Sequence, residues 1–386
     1  MDKQERKVPR LRFPGFTDDW EQRKCGELCS ITTGKLDANA AVAGGDYKFF
    51  TCAREDSQID TYAFDGPSII IAGNGDVGHT KYYDGKFNAY QRTYVLQNFR
   101  IFDRYLKVVI DKHLPSKIIE ETLGSSMPYI KLGTLTELDI PVPDIDEQKS
   151  IGEFFVLIDT LITLHQRKLE TIRKLKKCML QKMFPKNGEV FPEVRFPGFT
   201  DAWEQRKLGE LYIERNERGN DSLQMLSVSI HTGVSDGALD EETLGKFVKR
   251  SEDKSKYKHV YAGDLVFNMM RAWQGAIGVA KNEGMISPAY ISAIPNNEVY
   301  PLFMDYALRR DSAISEINNL SYGVTDFRKR LYWDSFVKVG CIIPSVDEQR
   351  KIYDYFKSLD NLITLHQRKC DEIKELKKCL LQQMFV

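Results

Sequence analysis

Leu161-Ile162-Thr163-Leu164-His165-Gln166-Arg167-Lys168 occurs a second time, residue for residue, as Leu362 to Lys369, 201 positions later. Each copy lies inside a long helical pattern, Glu147–Phe184 in the first case and Glu348–Phe385 in the second. Seam positions recur in alternating steps of four and three. In the first pattern they are Ile151, Phe155, Ile158, Ile162, His165, Leu169, Ile172, Lys176, Met179 and Met183. In the second they are Ile352, Phe356, Leu359, Ile363, His366, Cys370, Ile373, Lys377, Leu380 and Met384, in the same register throughout. A heptad spacing held this long predicts a coiled coil rather than a lone surface helix. At 1.5 Å per residue each rod would be about 57 Å long. Two matching rods can pair with one another, and His165 and His366 then sit on the seam as polar residues that set the register.

Working outward, the start of the chain is duplicated as well. Arg12-Phe13-Pro14-Gly15-Phe16-Thr17-Asp18, Trp20-Glu21-Gln22-Arg23-Lys24 and Gly26-Glu27-Leu28 return as Arg195 to Asp201, Trp203 to Lys207 and Gly209 to Leu211, offset by 183. Both interiors close alike. Asp139-Ile140-Pro141-Val142-Pro143 leads to Asp146-Glu147-Gln148, and Val339 to Pro344 leads to Asp347-Glu348-Gln349. Asp146 and Asp347 are read as helix N-caps, with acidic residues near the positive helix end. Two half-proteins with like ends and diverged interiors are therefore joined in tandem, a different arrangement from a short-period solenoid. Pro185, Gly188, Pro192 and Pro197 break the first rod so that the second half can begin.

The interiors read as mixed strand and helix. Ser68-Ile69-Ile70-Ile71-Ala72 is an apolar run that ends in glycines, a buried strand and turn, and Tyr94-Val95-Leu96 is another strand. Arg104–Ile110 and Lys117–Leu123 read as short helices. Gly263-Asp264-Leu265-Val266-Phe267 stands in the second half where Gly66-Pro67-Ser68-Ile69-Ile70 stands in the first.

The totals bound the function classes. The 386 residues have a formal net charge of zero and 42% hydrophobic content, which suits a soluble protein of two or three domains. Seven scattered cysteines, with Cys25 and Cys29 four apart, form neither a disulfide framework nor a zinc pattern. No apolar run approaches membrane length and the N-terminus has no signal-peptide core, so a cytoplasmic location is expected. Gly73-Asn74-Gly75-Asp76-Val77-Gly78 matches a dinucleotide fingerprint, but the following His79 to Gly85 reads as hairpin rather than helix. No phosphate loop and no Asn/Asp-Pro-Pro-Tyr/Phe methyltransferase tetrad is present, and no catalytic or metal-binding set is assigned.

Basic and aromatic residues do gather in the interiors. Lys81, Tyr82, Tyr83, Tyr90 and Arg92 lie in the first. The second holds Lys246, Lys249, Arg250, Lys254, Lys256 and Lys258, then Arg271, Trp273 and Gln274, then Arg328, Lys329 and Arg330. Such side chains read base edges and neutralise phosphates. Charge alone does not demand that reading: residues 30–143 carry 12 basic and 14 acidic groups, and residues 212–343 carry 16 and 17. The candidates for DNA contact are Asn74, His79, Lys81 and Arg92 in the first half. In the second they are Arg271, Trp273 and Gln274, with Arg328, Lys329 and Arg330 beside them. The helix-pair seam is expected at Ile158, Ile162, His165, Leu169, Leu359, Ile363, His366 and Ile373.

Taken together, the Phe13-Pro14-Gly15-Phe16 and Trp20 to Lys24 segments, the approach to Asp146-Glu147-Gln148, the Leu161–Lys168 helix and their second copies resemble the specificity (S) subunit of type I restriction–modification enzymes. The likeness covers nearly the whole chain; Ile342 stands where Pro141 stands in the first copy. The resemblance implies an α+β fold with a pseudo-two-fold internal repeat. Two mixed α/β target recognition domains would be joined by two long antiparallel coiled-coil helices. The divisions would fall at 1–146, 147–184, 185–346 (linker and second domain) and 347–386. It implies a non-catalytic subunit whose domains each read one half of a split site in double-stranded DNA, while the helices set the unread gap. It further implies two modification (M) subunits that use S-adenosylmethionine to methylate adenine, and restriction (R) subunits that use ATP and Mg, with no cofactor in this chain. A coiled-coil adaptor with two protein-binding domains, or a stand-alone DNA methyltransferase, are the competing readings.

Overall fold

A computed structural model describes residues 8–122, 128–186, 188–220, 222–235, 256–325 and 328–385. Lys246, Lys249, Arg250 and Lys254, and Leu123 at the end of an expected helix, lie outside these residues. The chain divides into two compact units. The first is residues 1–168 together with 366–386, and the second is residues 169–365. Each long helix therefore gives one part of its length to each unit.

The two helices are Ile145–Lys182 and Val346–Gln383, 38 residues each. Both begin two residues before the expected Glu147 and Glu348. Asp144 is the reason in the first: its Oδ1 accepts from the Asp146 backbone N at 2.8 Å, which caps the helix two residues earlier than expected. Asp146 and Asp347 are thus not caps. They lie in the first turn, where a negative charge still complements the helix end.

The heptad seam is occupied as its spacing dictates. Ile151, Phe155 and Ile158 are buried in the first unit, and Leu169, Ile172, Ile352, Phe356 and Leu359 in the second. Ile162 and Ile373 pack against the first unit's core, and Ile363 against the second's. In the first unit Lys377 Nζ donates to Asp159 Oδ1 at 2.6 Å, and His165 Nδ1 faces His366 Nδ1 at 2.9 Å. The later residue on one helix meets the earlier one on the other, so the helices run antiparallel there. The second unit holds the equivalent ion pair, Lys176 to Asp360 at 2.5 Å. The seam lysines are therefore charge-paired across the helices.

Each unit has its own hydrophobic core, sealed by an aromatic residue just past the end of a long helix. Phe385 lies against Trp20, Tyr105 and Phe155, with ring centroids 6.0 to 6.1 Å apart. Phe184 repeats this against Trp203, Phe303 and Phe356 at 5.6 to 6.3 Å. Burial of such rings accounts for much of the stability of a domain this size.

The duplicated ends of each unit clasp its interior. Glu21–Lys24 pairs antiparallel with Asp139–Val142, and Glu204–Lys207 with Gly340–Ile343. Arg12 donates two hydrogen bonds to the buried Glu147 carboxylate, at 2.7 and 2.8 Å, and Arg195 does the same to Glu348 at 2.8 and 2.7 Å. Gln148 accepts from the Phe102 backbone N at 2.9 Å and donates to the Pro143 carbonyl at 2.8 Å. Gln349 accepts from the Tyr300 backbone N and donates to the Pro344 carbonyl, both at 2.8 Å. The repeated Glu-Gln pair is thus structural, satisfying buried polar groups that would be costly if left alone.

The main sheets share one topology. In the first unit Ser30–Thr33, Thr93–Gln97, Ser68–Ala72 and Thr80–Tyr83 lie side by side in that order, all antiparallel. In the second the order is Tyr212–Arg215, Tyr290–Pro295, Leu265–Asn268 and Ile277–Val279. The two central strands, Ser68–Ala72 and Leu265–Asn268, are buried at every residue, which explains their unbroken apolar runs. The smaller sheets differ. Tyr47–Phe50 runs parallel to Phe87–Ala89, whereas Lys258–Val260 runs antiparallel to Gly284–Ile286.

The helices between sheet and clasp correct one expectation. Arg104–Ile110 and Lys117 onward are not separate: Asp103–Thr122 is a single helix with Pro115 inside it. Leu106, Val109, Ile110 and Leu114 are buried in the first core, and that burial outweighs the hydrogen bond lost at the proline. The second unit has two helices here, Pro301–Ala307 and Asp311–Leu320.

Candidate nucleic-acid interface

In the first unit the loop 73–79 joins two paired strands as a hairpin. Gly78 N donates to the Ala72 carbonyl and Ala72 N to that of His79, both at 2.9 Å. Gly75 and Gly78 have φ of 66° and 80°, the left-handed conformation that glycine adopts without strain. A strand follows instead of a helix, so the Gly-x-Gly-x-x-Gly spacing here serves a turn.

Two other segments meet this loop. Gly73 N donates to the Arg92 carbonyl at 3.0 Å, and Ile130 N donates to the Gly73 carbonyl at 2.9 Å. Tyr94 Oη donates to the Ile130 carbonyl at 3.0 Å. The loop, Arg92 and residues 128–131 therefore form one cluster. Arg92 is exposed and Asn74 half-buried. His79 is half-buried, and burial lowers its pKa, which favours a neutral imidazole that both donates and accepts.

Lys81 is half-buried. Its Nζ donates to Asp56 Oδ1 at 2.5 Å and to the Arg54 carbonyl at 2.6 Å, so its charge is already paired. Asp56 is also held by Lys48 at 2.8 Å, and the two ammonium groups keep its pKa low against the opposing effect of burial. Arg54, which the sequence did not single out, projects beside the loop with its side chain 81% exposed, 2.7 Å from Asp76. Tyr129 and Lys131 are likewise additions. Tyr129 is exposed, with the Lys131 ammonium 5.7 Å from its ring centroid.

The second unit builds the same cluster from different residues. After Leu265–Asn268 the chain makes a short turn that includes Ala272–Gln274. Arg271 and Gln274 are exposed on it. Trp273 is half-buried against the core and its indole N–H donates to the Met270 carbonyl at 2.9 Å, so it fixes the turn. Leu331 N donates to the Met269 carbonyl at 2.9 Å, the counterpart of Ile130 to Gly73. Beside it, Tyr322 and Arg330 exchange two backbone hydrogen bonds of 3.1 and 2.9 Å. Arg328 and Arg330 are exposed on this segment and Lys329 is half-buried. Tyr129, Ile130 and Lys131 stand 201 residues before Arg330, Leu331 and Tyr332, a correspondence already latent in the repeat.

Among the described residues no group of three or more His, Cys, Asp or Glu side chains is arranged to hold a metal. Cys25 and Cys29 face one another at 3.9 Å, both buried. No helix of the described residues is long and apolar enough to cross a membrane.

The geometry defines a class: a duplicated α+β protein presenting one polar loop cluster per unit, built from different residues in the two, each closed by the same clasp. The chain belongs to the family of the type I restriction modification DNA specificity domain, whose family model matches residues 17–174 and 201–375. It is 40% identical over 201 residues to the type I restriction enzyme EcoDI specificity subunit of Escherichia coli, 52% of this chain and 45% of that one. It is 23% identical over 280 residues to the MjaVIII specificity subunit of Methanocaldococcus jannaschii, 68% of this chain and 64% of that one. The matches thus span about half and under two thirds of those relatives. The S subunit of a type I restriction–modification system from M. genitalium has the same fold. Its TM-score is 0.68 at 17% identity, over 98% of this chain and 99% of that one.

Proposed function

We propose that this chain is the DNA-reading subunit of a type I restriction–modification enzyme, with each unit reading one half of a split target in duplex DNA. The observation that carries the reading is the pair of loop clusters. They occupy the same place in both units, after the central strand and before the closing strand, yet share few side chains. Arg92 and Arg54 in the first unit, and Arg271, Gln274, Arg328 and Arg330 in the second, supply donors for base edges and phosphates. Asn74 and His79 add side chains that both donate and accept. Trp273 and Lys81 hold these loops in shape.

This chain would perform no bond chemistry. Methyl transfer from S-adenosylmethionine would fall to two M subunits, and ATP- and Mg-dependent cleavage to R subunits. Each unit would offer an M subunit its own exposed leucines: Leu157, Leu161 and Leu164 in the first, and Leu362 and Leu365 in the second. Leucines on one face of a helix suit a partner helix.

A domain exchange tests the reading. Residues 212–343 are replaced by the second interior of another family member, the chain is expressed with M subunits, and methylated adenines are mapped across the host genome. One half of the methylated motif should change and the other persist. Changes in both halves, or in neither, would overturn it.

A further inference from the structure

A cavity of about 1120 Å³ opens in the second unit. Its walls are the end of the first long helix, the middle of the second, the helix Pro301–Ala307 and the turn at His231. The two units differ at one repeat position beside it. In the first unit Gly152 lies under Asp103–Thr122, where a Cβ would stand 2.8 Å from the Phe102 ring and 2.9 Å from the Tyr105 N. The helix therefore lies flat on its neighbour. Tyr353, 201 residues later, fills that position in the second unit. Its ring meets Tyr300 at 5.4 Å and Tyr306 at 6.1 Å and lines the cavity.

The lining is cationic in a chain of zero net charge. Seven lysines and arginines face three aspartates. Lys186 is paired outside the cavity with Glu193 at 3.7 Å, and Arg309 lies 4.0 Å from Asp305. Asp360 is taken by Lys176 at 2.5 Å and by the Tyr306 hydroxyl at 2.6 Å. Asp305 accepts from Val279 N at 3.2 Å, and burial raises its pKa. Arg310 lies 4.2 Å over the Phe184 ring and donates from Nε to the Ala307 carbonyl at 3.3 Å. No carboxylate among the described residues pairs with it, and burial pushes its pKa down to about 10. A desolvated guanidinium without a counter-charge is costly, and an anion in the cavity would offset that cost. Arginine and lysine together are phosphate ligands. Leu180, Leu302, Tyr306 and Tyr353 supply an apolar side. The volume is close to the roughly 300–1,000 Å³ of small-molecule sites.

We propose that this cavity binds a small phosphate-bearing ligand of the size of a nucleoside triphosphate, with its phosphates on Arg310 and Lys357 and its planar body beside Tyr306 and Tyr353. The proposal does not depend on the DNA-reading role.

Isothermal titration calorimetry of the full chain tests it, with ATP, adenosine and a DNA duplex of arbitrary sequence as probes. ATP should bind saturably and adenosine should not. Arg310→Gln and Lys357→Glu should each weaken ATP binding by about tenfold or more, a loss of about 1.4 kcal/mol. Lys357 is exposed, so its variant tests the cavity without disturbing the core; unfolding curves confirm that both variants fold. Absence of saturable ATP binding overturns the proposal, as does adenosine binding equal to ATP, or ATP binding unchanged in Lys357→Glu. If the duplex binds, loses affinity in Lys357→Glu, and ATP does not bind, the cations serve the DNA backbone and the small-ligand site is refuted.

Discussion

Glu147 is fully buried, and both of its carboxylate oxygens are held by the Arg12 guanidinium, at 2.7 and 2.8 Å, across 135 residues of chain. Trp20 donates a third hydrogen bond to it at 3.1 Å. Removing the cation leaves a charge buried with one neutral donor. Arg12→Met should therefore destabilise the first unit by about 3–5 kcal/mol, the range for breaking a buried pair from one side. Urea unfolding followed by tryptophan fluorescence measures it. Stability equal to that of the parent chain would show that the clasp is dispensable.

The seam ion pairs should be worth far less. Asp159 is nearly half exposed, so its bond to Lys377 should contribute about 0.5–1 kcal/mol. A double-mutant cycle isolates that energy. Asp159→Lys and Lys377→Asp should each destabilise the protein, and the doubly reversed chain should recover most of the loss. No recovery would mean that the two charges are not coupled.

A pH dependence follows from Asp305. Burial raises its folded pKa above the ordinary aspartate value of about 3.9. The folded state thus holds this proton more tightly than the unfolded chain. The resulting stability is complete below the ordinary value and is lost as pH rises through the raised one. Asp305→Asn keeps an oxygen for Val279 N without the charge. Its melting temperature should exceed the parent's at neutral pH, and the gap should close in acid. A gap that is the same at both pH values would rule out this linkage.

At the reading loops, Arg271→Ala and Trp273→Ala should behave differently. Loss of Arg271, which is exposed, should cost about 1–3 kcal/mol of DNA affinity and relax one target position. Loss of Trp273 should lower the melting temperature by disturbing the turn that the indole fixes. Motif mapping by methylated-adenine sequencing and thermal melts separate the two outcomes. A relaxed motif with unchanged stability in Trp273→Ala would make it a reader after all.

The helices were legible because heptad periodicity is a local property, visible without knowing what the rods touch. The central strands showed for the same reason, as unbroken apolar runs. Asp144 was passed over because Asp146, two residues on, is an equally good cap by composition, and only the Asp146 N–H shows which residue acts. Lys81 and Trp273 looked like surface readers because their partners, Asp56 and the Met270 carbonyl, are fixed by tertiary folding. Tyr129 and Lys131 were missed although the repeat marked them: they stand where Arg330 and Tyr332 stand in the other copy, but neither carries the basic cluster that drew attention to Arg328–Arg330.

Gln148 and Gln349 grip main-chain atoms only: the N–H groups of Phe102 and Tyr300, and carbonyls of Pro143, Pro344 and Glu298. Every residue except proline carries such an N–H. The socket is therefore blind to which side chain stands at 102 or 300. In evolutionary terms, a gene segment exchanged between Trp20 and Pro143 by recombination arrives with its attachment already made. On the proposed DNA-reading role, a new target specificity would come with the exchanged segment, without compensating mutations in the part of the chain that receives it.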